Sequence, residues 1–194
     1  RLKIAGNDAR GLRRPRSATD EATMIVILMG VSGCGKTTIG QILAGKVGWP
    51  LLDADEFHSA ASIEKMRNGI PLDDADRWPW LDRMNAALRE REARNESVLL
   101  ACSALKQAYR DRIATGIAEI RWIYLKGRFE LIRERLEARK GHYMKAGLLE
   151  SQFAALEEPV DALSVDIDGS PASIADSILR RLQALPERKT GSDK

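Results

Sequence analysis

The sequence predicts an α/β fold in three layers, a five-stranded parallel sheet with helices on both faces and a small lid. Three observations predict it. Five short runs rich in Val, Ile and Leu recur along the 194 residues. Between them lie segments whose apolar residues return every three or four positions, the helical period. The first run leads through glycines directly into such a segment. Strands that alternate with helices pair in parallel, because each helix returns the chain to the starting edge of the sheet. Nearly continuous apolar strands are buried on both faces.

The elements follow in order. Met24 to Met29 is an apolar, β-branched run and reads as a buried strand. Lys36 to Val47 is helical, with Ile39, Ile42, Leu43 and Val47 on one face and Gly48 as its stop. Leu51 and Leu52 form a short second strand, and Ser59 to Asn68 a short helix ending at Gly69. Pro71 to Asp76 reads as an acid-rich loop, and Trp80 to Arg94 as a helix turning Trp80, Leu81, Met84 and Leu88 inward. Val98 to Cys102 is the third strand; Leu105, Tyr109 and Ile113 mark the next helix; Ile120 to Leu125 is the fourth strand. Phe129 to Arg139 is helical, Lys140 to Gly147 a polar loop bounded by glycine, and Leu148 to Leu156 helical again. Leu163 to Ile167 is the fifth strand, and Ser170–Pro171 opens a last helix carrying Ile174, Ile178 and Leu182. A lid is expected over about 135–148, within a domain spanning 24–185.

Charge narrows the partners. The chain is formally +3, but residues 1–23 hold six basic and three acidic groups, and residues 187–194 hold three basic and two acidic. The body between them is therefore −1, so the basic excess lies on the tails and no nucleic-acid partner is expected. The longest apolar run is far too short to span a bilayer, so no membrane partner is expected either. Two cysteines, Cys34 and Cys102, make neither a disulfide framework nor a metal-ligand spacing, which suits a reducing cytoplasm. No secretory signal is recognised; residues 1–23 and 186–194 are expected to be disordered, with Met24 as the expected natural start.

The strongest motif is Gly30-Val31-Ser32-Gly33-Cys34-Gly35-Lys36-Thr37, which fits G-x-x-x-x-G-K-[ST] between a strand and a helix. Glycines let successive backbone N–H groups turn around phosphate oxygens, and the following helix N-terminus adds its positive dipole end. Lys36 is expected on the β- and γ-phosphates, the Thr37 hydroxyl on Mg²⁺, and Thr38 beside them on the nucleotide. These residues predict the P-loop NTPase version of the three-layer fold, with ATP and Mg²⁺. No N-K-x-D guanine signature follows any asparagine, and the third strand ends Ala101-Cys102-Ser103 without the metal-binding Asp of a motor. A small-molecule kinase is favoured over a GTPase or motor. Cys34, at a helix N-terminus near Lys36, lies in a field that favours thiolate. Its modification could then block ATP; the plainer reading, which carries more weight, is a small loop residue without chemistry.

On the acceptor side, Asp53-Ala54-Asp55-Glu56-Phe57-His58 follows the second strand, whose end faces the same crevice as the first. Two carboxylates at i and i+2 can divide the work, one on the metal through water and one taking the proton of the attacking hydroxyl; an acidic loop that merely caps a helix is as good a reading of the pair alone. Farther on, Arg77 lies among Asp73, Asp74, Asp76, Trp78 and Trp80. Its guanidinium could hold an anionic acceptor through a bidentate fork, or simply pair with Asp74 or Asp76. His58 and Lys65, each alone, read as ordinary structural or solvated residues.

The ordered set is more specific than its parts. Gly30 to Thr38, Asp53-Ala54-Asp55 with His58, Glu64-Lys65-Met66, Gly69-Ile70-Pro71-Leu72, Asp76-Arg77-Trp78-Pro79-Trp80-Leu81, Cys102-Ser103-Ala104-Leu105-Lys106 with Tyr109-Arg110-Asp111, Arg139-Lys140-Gly141-His142-Tyr143 and Ser151-Gln152-Phe153 together resemble the thermoresistant-type gluconate kinase family over about residues 24–185. The resemblance implies a cytoplasmic homodimer phosphorylating D-gluconate at its 6-hydroxyl. It implies catalytic roles for Lys36, Asp55 and Arg139, with Asp53 as the weaker alternative base. It implies nucleotide contacts from Arg135 and Pro171, and acceptor contacts from Asp55, His58, Lys65, Arg77, Lys106 and Gln152. Ser62 stands where the family pattern leads one to expect Asn. Two rivals stay open: another kinase of this fold, of shikimate or nucleotide type, and a nucleotide-dependent switch module.

Overall fold

The computed structural model describes residues 23–138 and 146–184. Five parallel strands, β1 (Ile25–Met29), β2 (Leu51–Asp53), β3 (Val98–Ala101), β4 (Ile120–Lys126) and β5 (Leu163–Asp166), lie in the order β2-β3-β1-β4-β5. The helices are α1 (Lys36–Val47), α2 (Ala60–Arg67), α3 (Asp74–Ala93), α4 (Gln107–Ala114), α5 (Phe129–Glu137), α6 (Ala146–Ala155) and α7 (Pro171–Gln183). This is the expected three-layer α/β architecture.

The period of two along each strand sorts side chains into two cores. Val26 and Leu28 of β1 and Leu99 of β3 face one core with Ile39, Leu43, Ile132 and Ile178 of α1, α5 and α7. Ile25, Ile27 and Met29, with Val98 and Leu100, face the other, closed by Trp80, Leu81, Met84 and Leu88 of α3 and Ile113 of α4. All five residues of β1 are at most 1% exposed, so the central strand is apolar on both sides. Parallel registry of β1 with β3 and with β4 brings Leu28 level with Ala101 and with Ile123. Their C-terminal ends therefore open onto one edge of the sheet.

One expectation changes, and one element is new. α3 begins at Asp74, not Trp80, so half of the expected acid-rich loop is its first turn, and Pro79 lies inside the helix. The start is held by a capping box: the Asp73 side chain accepts from Asp76 N–H at 2.9 Å, and the Asp76 side chain accepts from Asp73 N–H at 3.2 Å. That cap and the burial of Trp80 and Leu81 outweigh the single backbone hydrogen bond that Pro79 cannot donate. The acidic residues after β2 form a 3₁₀ turn, Ala54–Phe57, too short to leave a periodic signal. Arg139 and the centre of the expected lid, the expected extension up to residue 22 and the expected tail from 186 lie outside the described residues.

Candidate active site

The loop after β1 is shaped by its glycines. Gly33 has φ +84, and a Cβ there would stand 2.7 Å from Leu136 Cγ and 3.1 Å from Ile132 Cγ2 on α5. Only glycine allows both the left-handed backbone and the close approach of α5. Gly35, at φ 101, is the N-cap of α1 and offers no side-chain cap, and no acidic residue lies in the first turn. The opening amides of α1 thus keep their capacity for an external anion. Lys36 folds back over the loop, its Nζ donating to Gly30 O at 2.8 Å and to Val31 O at 3.0 Å. The ammonium is thus held against the carbonyls that open the loop.

Thr37 and Asp53 come together as the sequence suggested. Thr37 Oγ1 donates to Asp53 Oδ2 at 3.3 Å, and Asp53 Oδ1 accepts from Asp55 N–H at 3.1 Å. The end of β2, brought close by pairing with β3, therefore places a carboxylate beside the hydroxyl that follows Lys36. A hydroxyl and a carboxylate, both hard oxygen donors, fit Mg²⁺, which takes few protein ligands and keeps its waters. Asp55 is exposed one residue into the 3₁₀ turn. His58 follows, its ring stacked on Trp80 at 4.7 Å with planes 6° apart, while Trp80 Nε1 donates to Ala54 O at 2.7 Å. Burial lowers the His58 pKa; Asp55 opposes this, and Arg83 and Arg77 reinforce it. The imidazole therefore feels charges on both sides of the crevice, and its Nδ1 is buried without a hydrogen-bond partner among the described residues.

Arg77 and Lys106 meet in a second cluster. Both approach the Asp74 carboxylate, Arg77 Nη1 at 3.5 Å and Lys106 Nζ at 3.4 Å, and the Tyr109 hydroxyl donates to the same carboxylate. Arg77 thus does pair with Asp74, the simpler of its two sequence readings, while staying at the crevice. Lys65 is drawn elsewhere, onto Asp76 at 2.6 and 2.8 Å. Gln152 reaches the phosphate loop instead of the Arg77 cluster: its Oε1 accepts from Ser32 N–H at 2.6 Å and its Nε2 donates to Ser32 Oγ at 3.0 Å. Arg135 Nη2 donates to Ile167 O at 2.8 Å, which sets it over the turn leading to Pro171, the first residue of α7.

Cys34 and Ser62, both singled out in the sequence, lie inside the fold. Cys34 is fully buried and belongs to the core beneath the loop, its thiol 4.0 Å from Lys36 Nζ. Ser62 is 2% exposed, its hydroxyl 2.9 Å from that of Ser59 at the start of α2. Of the two residues that join the Arg77 and Lys106 cluster, the sequence signalled Asp74 as a partner of Arg77 but gave no sign of the Tyr109 hydroxyl. Asp74 lies three positions before Arg77 on one helix face, a spacing that does signal pairing. Tyr109 reads only as a core position of its helix, and its hydroxyl meets Asp74 across 35 residues.

A family model described as an AAA domain matches residues 25–162. The chain is 44% identical over 156 residues to the thermoresistant gluconokinase of Escherichia coli (strain K12), covering 78% of this chain and 89% of that one. It is 40% identical over 167 residues to the thermosensitive gluconokinase of the same organism, covering 84% and 89%. The crystal structure of a gluconokinase from Sinorhizobium meliloti 1021 superposes with a TM-score of 0.71 at 38% identity, over 82% of this chain and 93% of that one. A phosphate loop, an acidic strand end and a cluster of cations on Asp74 thus occur in a chain with this degree of likeness, and the chain belongs to the gluconokinase family.

Proposed function

We infer that the protein transfers the terminal phosphoryl group of ATP to the 6-hydroxyl of D-gluconate, giving 6-phosphogluconate and ADP. The observation that carries this reading is the 44% identity to a gluconokinase over nearly the whole body, with the phosphate loop and the acidic end of β2 adjoining at the Thr37–Asp53 contact. Lys36 and the loop amides of Gly30 to Thr38 hold the phosphates. Thr37 and, through water, Asp53 would hold Mg²⁺, which would supply positive charge against the phosphates. Asp55 takes the proton as the 6-oxygen bonds to the γ-phosphorus and the bond to the β–γ bridging oxygen breaks. Arg77 and Lys106 receive the acceptor carboxylate, with His58 near Asp55 and Arg77, while Lys65 is held on Asp76 and Gln152 on Ser32 of the phosphate loop. Arg135 and Pro171 edge the nucleotide, and Arg139 meets the transferring phosphate by resemblance. Such chemistry needs positioning and electrostatics more than covalent help.

A coupled ADP-release assay across gluconate, glucose, shikimate, nucleoside monophosphates and no acceptor tests the reading. Gluconate should drive release far above every other arm. Preference for shikimate or a nucleotide would assign a sister kinase, and release independent of acceptor would assign a switch. Equal kcat/KM for gluconate and glucose would contradict Arg77 as the carboxylate site, because a neutral acceptor offers that cation no carboxylate. The reading includes a homodimer, tested by light scattering against the 21.5 kDa chain mass. It also includes a cytoplasmic location; two free, buried cysteines suit that compartment.

A further inference from the structure

Three ligand-binding groups converge on one carboxylate of the protein itself. Asp74 Oδ1 accepts from the Tyr109 hydroxyl and lies 3.5 Å from Arg77 Nη1. Both Asp74 oxygens stand 3.4 Å from Lys106 Nζ. Arg77 Nη1 also donates to the Tyr109 oxygen at 3.0 Å, and the Arg77 and Lys106 cations lie 5.7 and 5.3 Å from the Tyr109 ring centre. Arg77 comes from α3, Lys106 is the N-cap of α4, and Tyr109 lies in the first turn of α4. α3 and α4 pack against each other, which sets this spacing.

Helix capping does not explain why Asp74 is there. Asp73 and Asp76 form the capping box of α3 between them, and Asp76 also takes Lys65. Asp74 contributes no bond to that box, and its side chain is 49% exposed. The Tyr109 hydrogen bond, helped by the Lys106 and Arg77 charges, holds its carboxyl below the usual carboxylate range. As the first residue of α3, Asp74 is stabilised by the helix dipole in any rotamer. Leaving these donors costs it the Tyr109 hydrogen bond and two exposed ion pairs, which an incoming carboxylate can replace.

A carboxylate gripped by Arg, Lys and Tyr donors is the arrangement that would recognise the carboxylate of a sugar acid. We propose that Arg77, Lys106 and Tyr109 form the subsite for the acceptor carboxylate, and that Asp74 fills it until the acceptor displaces it. This rests on the reading of the protein as a gluconate kinase. Two carboxylates crowded on one set of donors repel each other, so the two occupants exclude one another. An acidic acceptor replaces what it removes. A neutral polyol brings no replacement and leaves Asp74 seated across the entrance, so Asp74 sets acceptor affinity and enforces selection for an anion.

Steady-state kinetics of Asp74→Asn and Asp74→Ser, beside Lys106→Met and Tyr109→Phe, test the proposal. Removing the internal competitor should lower the gluconate KM by about threefold to tenfold, the scale of two exposed ion pairs and a hydrogen bond. The ATP KM should not move, and both Asp74 variants should agree. Lys106→Met and Tyr109→Phe should raise the gluconate KM with the ATP KM unchanged. A raised gluconate KM in both Asp74 variants would overturn the proposal and make Asp74 an orienting group for the cations. An unchanged KM would also overturn it, as would normal gluconate KM in both Lys106→Met and Tyr109→Phe. If the wild-type protein phosphorylates a different acid, the gluconate reading fails, and the same variants with that acid decide the role of Asp74. If its acceptor is neutral, the proposal fails with it.

Discussion

Gly33→Ala should loosen the phosphate loop and its seat on α5 at a cost that follows from the geometry. The backbone at φ +84 lies in the left-handed region, where an L side chain costs about 1–2 kcal/mol. The new methyl would stand 2.7 and 2.9 Å from Leu136 Cγ and Cδ2 and 3.1 Å from Ile132 Cγ2, so α5 must give way. Overpacking of that kind costs about 1–3 kcal/mol. The total, about 2–5 kcal/mol, corresponds to a fall in Tm of about 4–20 °C for a domain of this size. The ATP KM should rise as well, because the strain falls on the loop that cradles phosphate. Gly45→Ala is the internal control. It lies in α1, and an added Cβ meets nothing within 4 Å. That change should stabilise by about 0.5–1 kcal/mol through helix propensity and lost unfolded-state freedom. Thermal unfolding of both variants with and without MgATP, together with ATP kinetics, checks the pair. If Gly33→Ala melted at or above wild type with an unchanged ATP KM, the packing of α5 on the loop would not be what demands glycine.

Lys36→Ala should cut kcat by about 10²-fold or more, the scale of one lost charge-stabilising donor, while circular dichroism and Tm remain near wild type; near-normal turnover in the folded variant would remove the loop from the mechanism. Asp55→Asn should lower kcat by about 10²-fold or more with ATP affinity kept, whereas a collapse of ATP affinity with an unchanged gluconate KM would move Asp55 into the metal site. His58 should make stability depend on pH: its folded pKa is lowered from 6.5 chiefly by burial, so the unfolded imidazole protonates first. Its contribution is then present above pH 6.5 and is lost as pH falls through the lowered folded pKa. His58→Phe, which can keep a ring on Trp80, should flatten the Tm curve below pH 6.5, and parallel curves for the two proteins would show that His58 does not titrate on unfolding.

The parts of the site that were legible are local in the chain. The loop from Gly30 to Thr37 is eight consecutive residues whose geometry follows from glycine and from the strand and helix that flank it. The Thr37–Asp53 pairing was legible at one remove, since strand ends in a parallel sheet share one edge. The start of α3 was harder to read. A helix was expected from Trp80, yet Asp73 and Asp76 carried the spacing of a capping box that placed the start earlier. Cys34 shows another limit: sequence can place a residue at a helix N-terminus but not say which way a loop side chain turns, and this one turns into the core.

By itself the sequence determined the class of fold, the strand count, the phosphate loop and the family pattern, because each is written in short-range periods and contiguous motifs. Tertiary structure decided which charges meet. Asp74 joins Lys106 across 32 residues and Tyr109 across 35, and Gln152 reaches Ser32 across 120. Contacts at such separations depend on how α3 seats against α4 and α6 against the loop. Those placements come from the summed packing of two cores, to which nearly every buried side chain contributes and which no local spacing records.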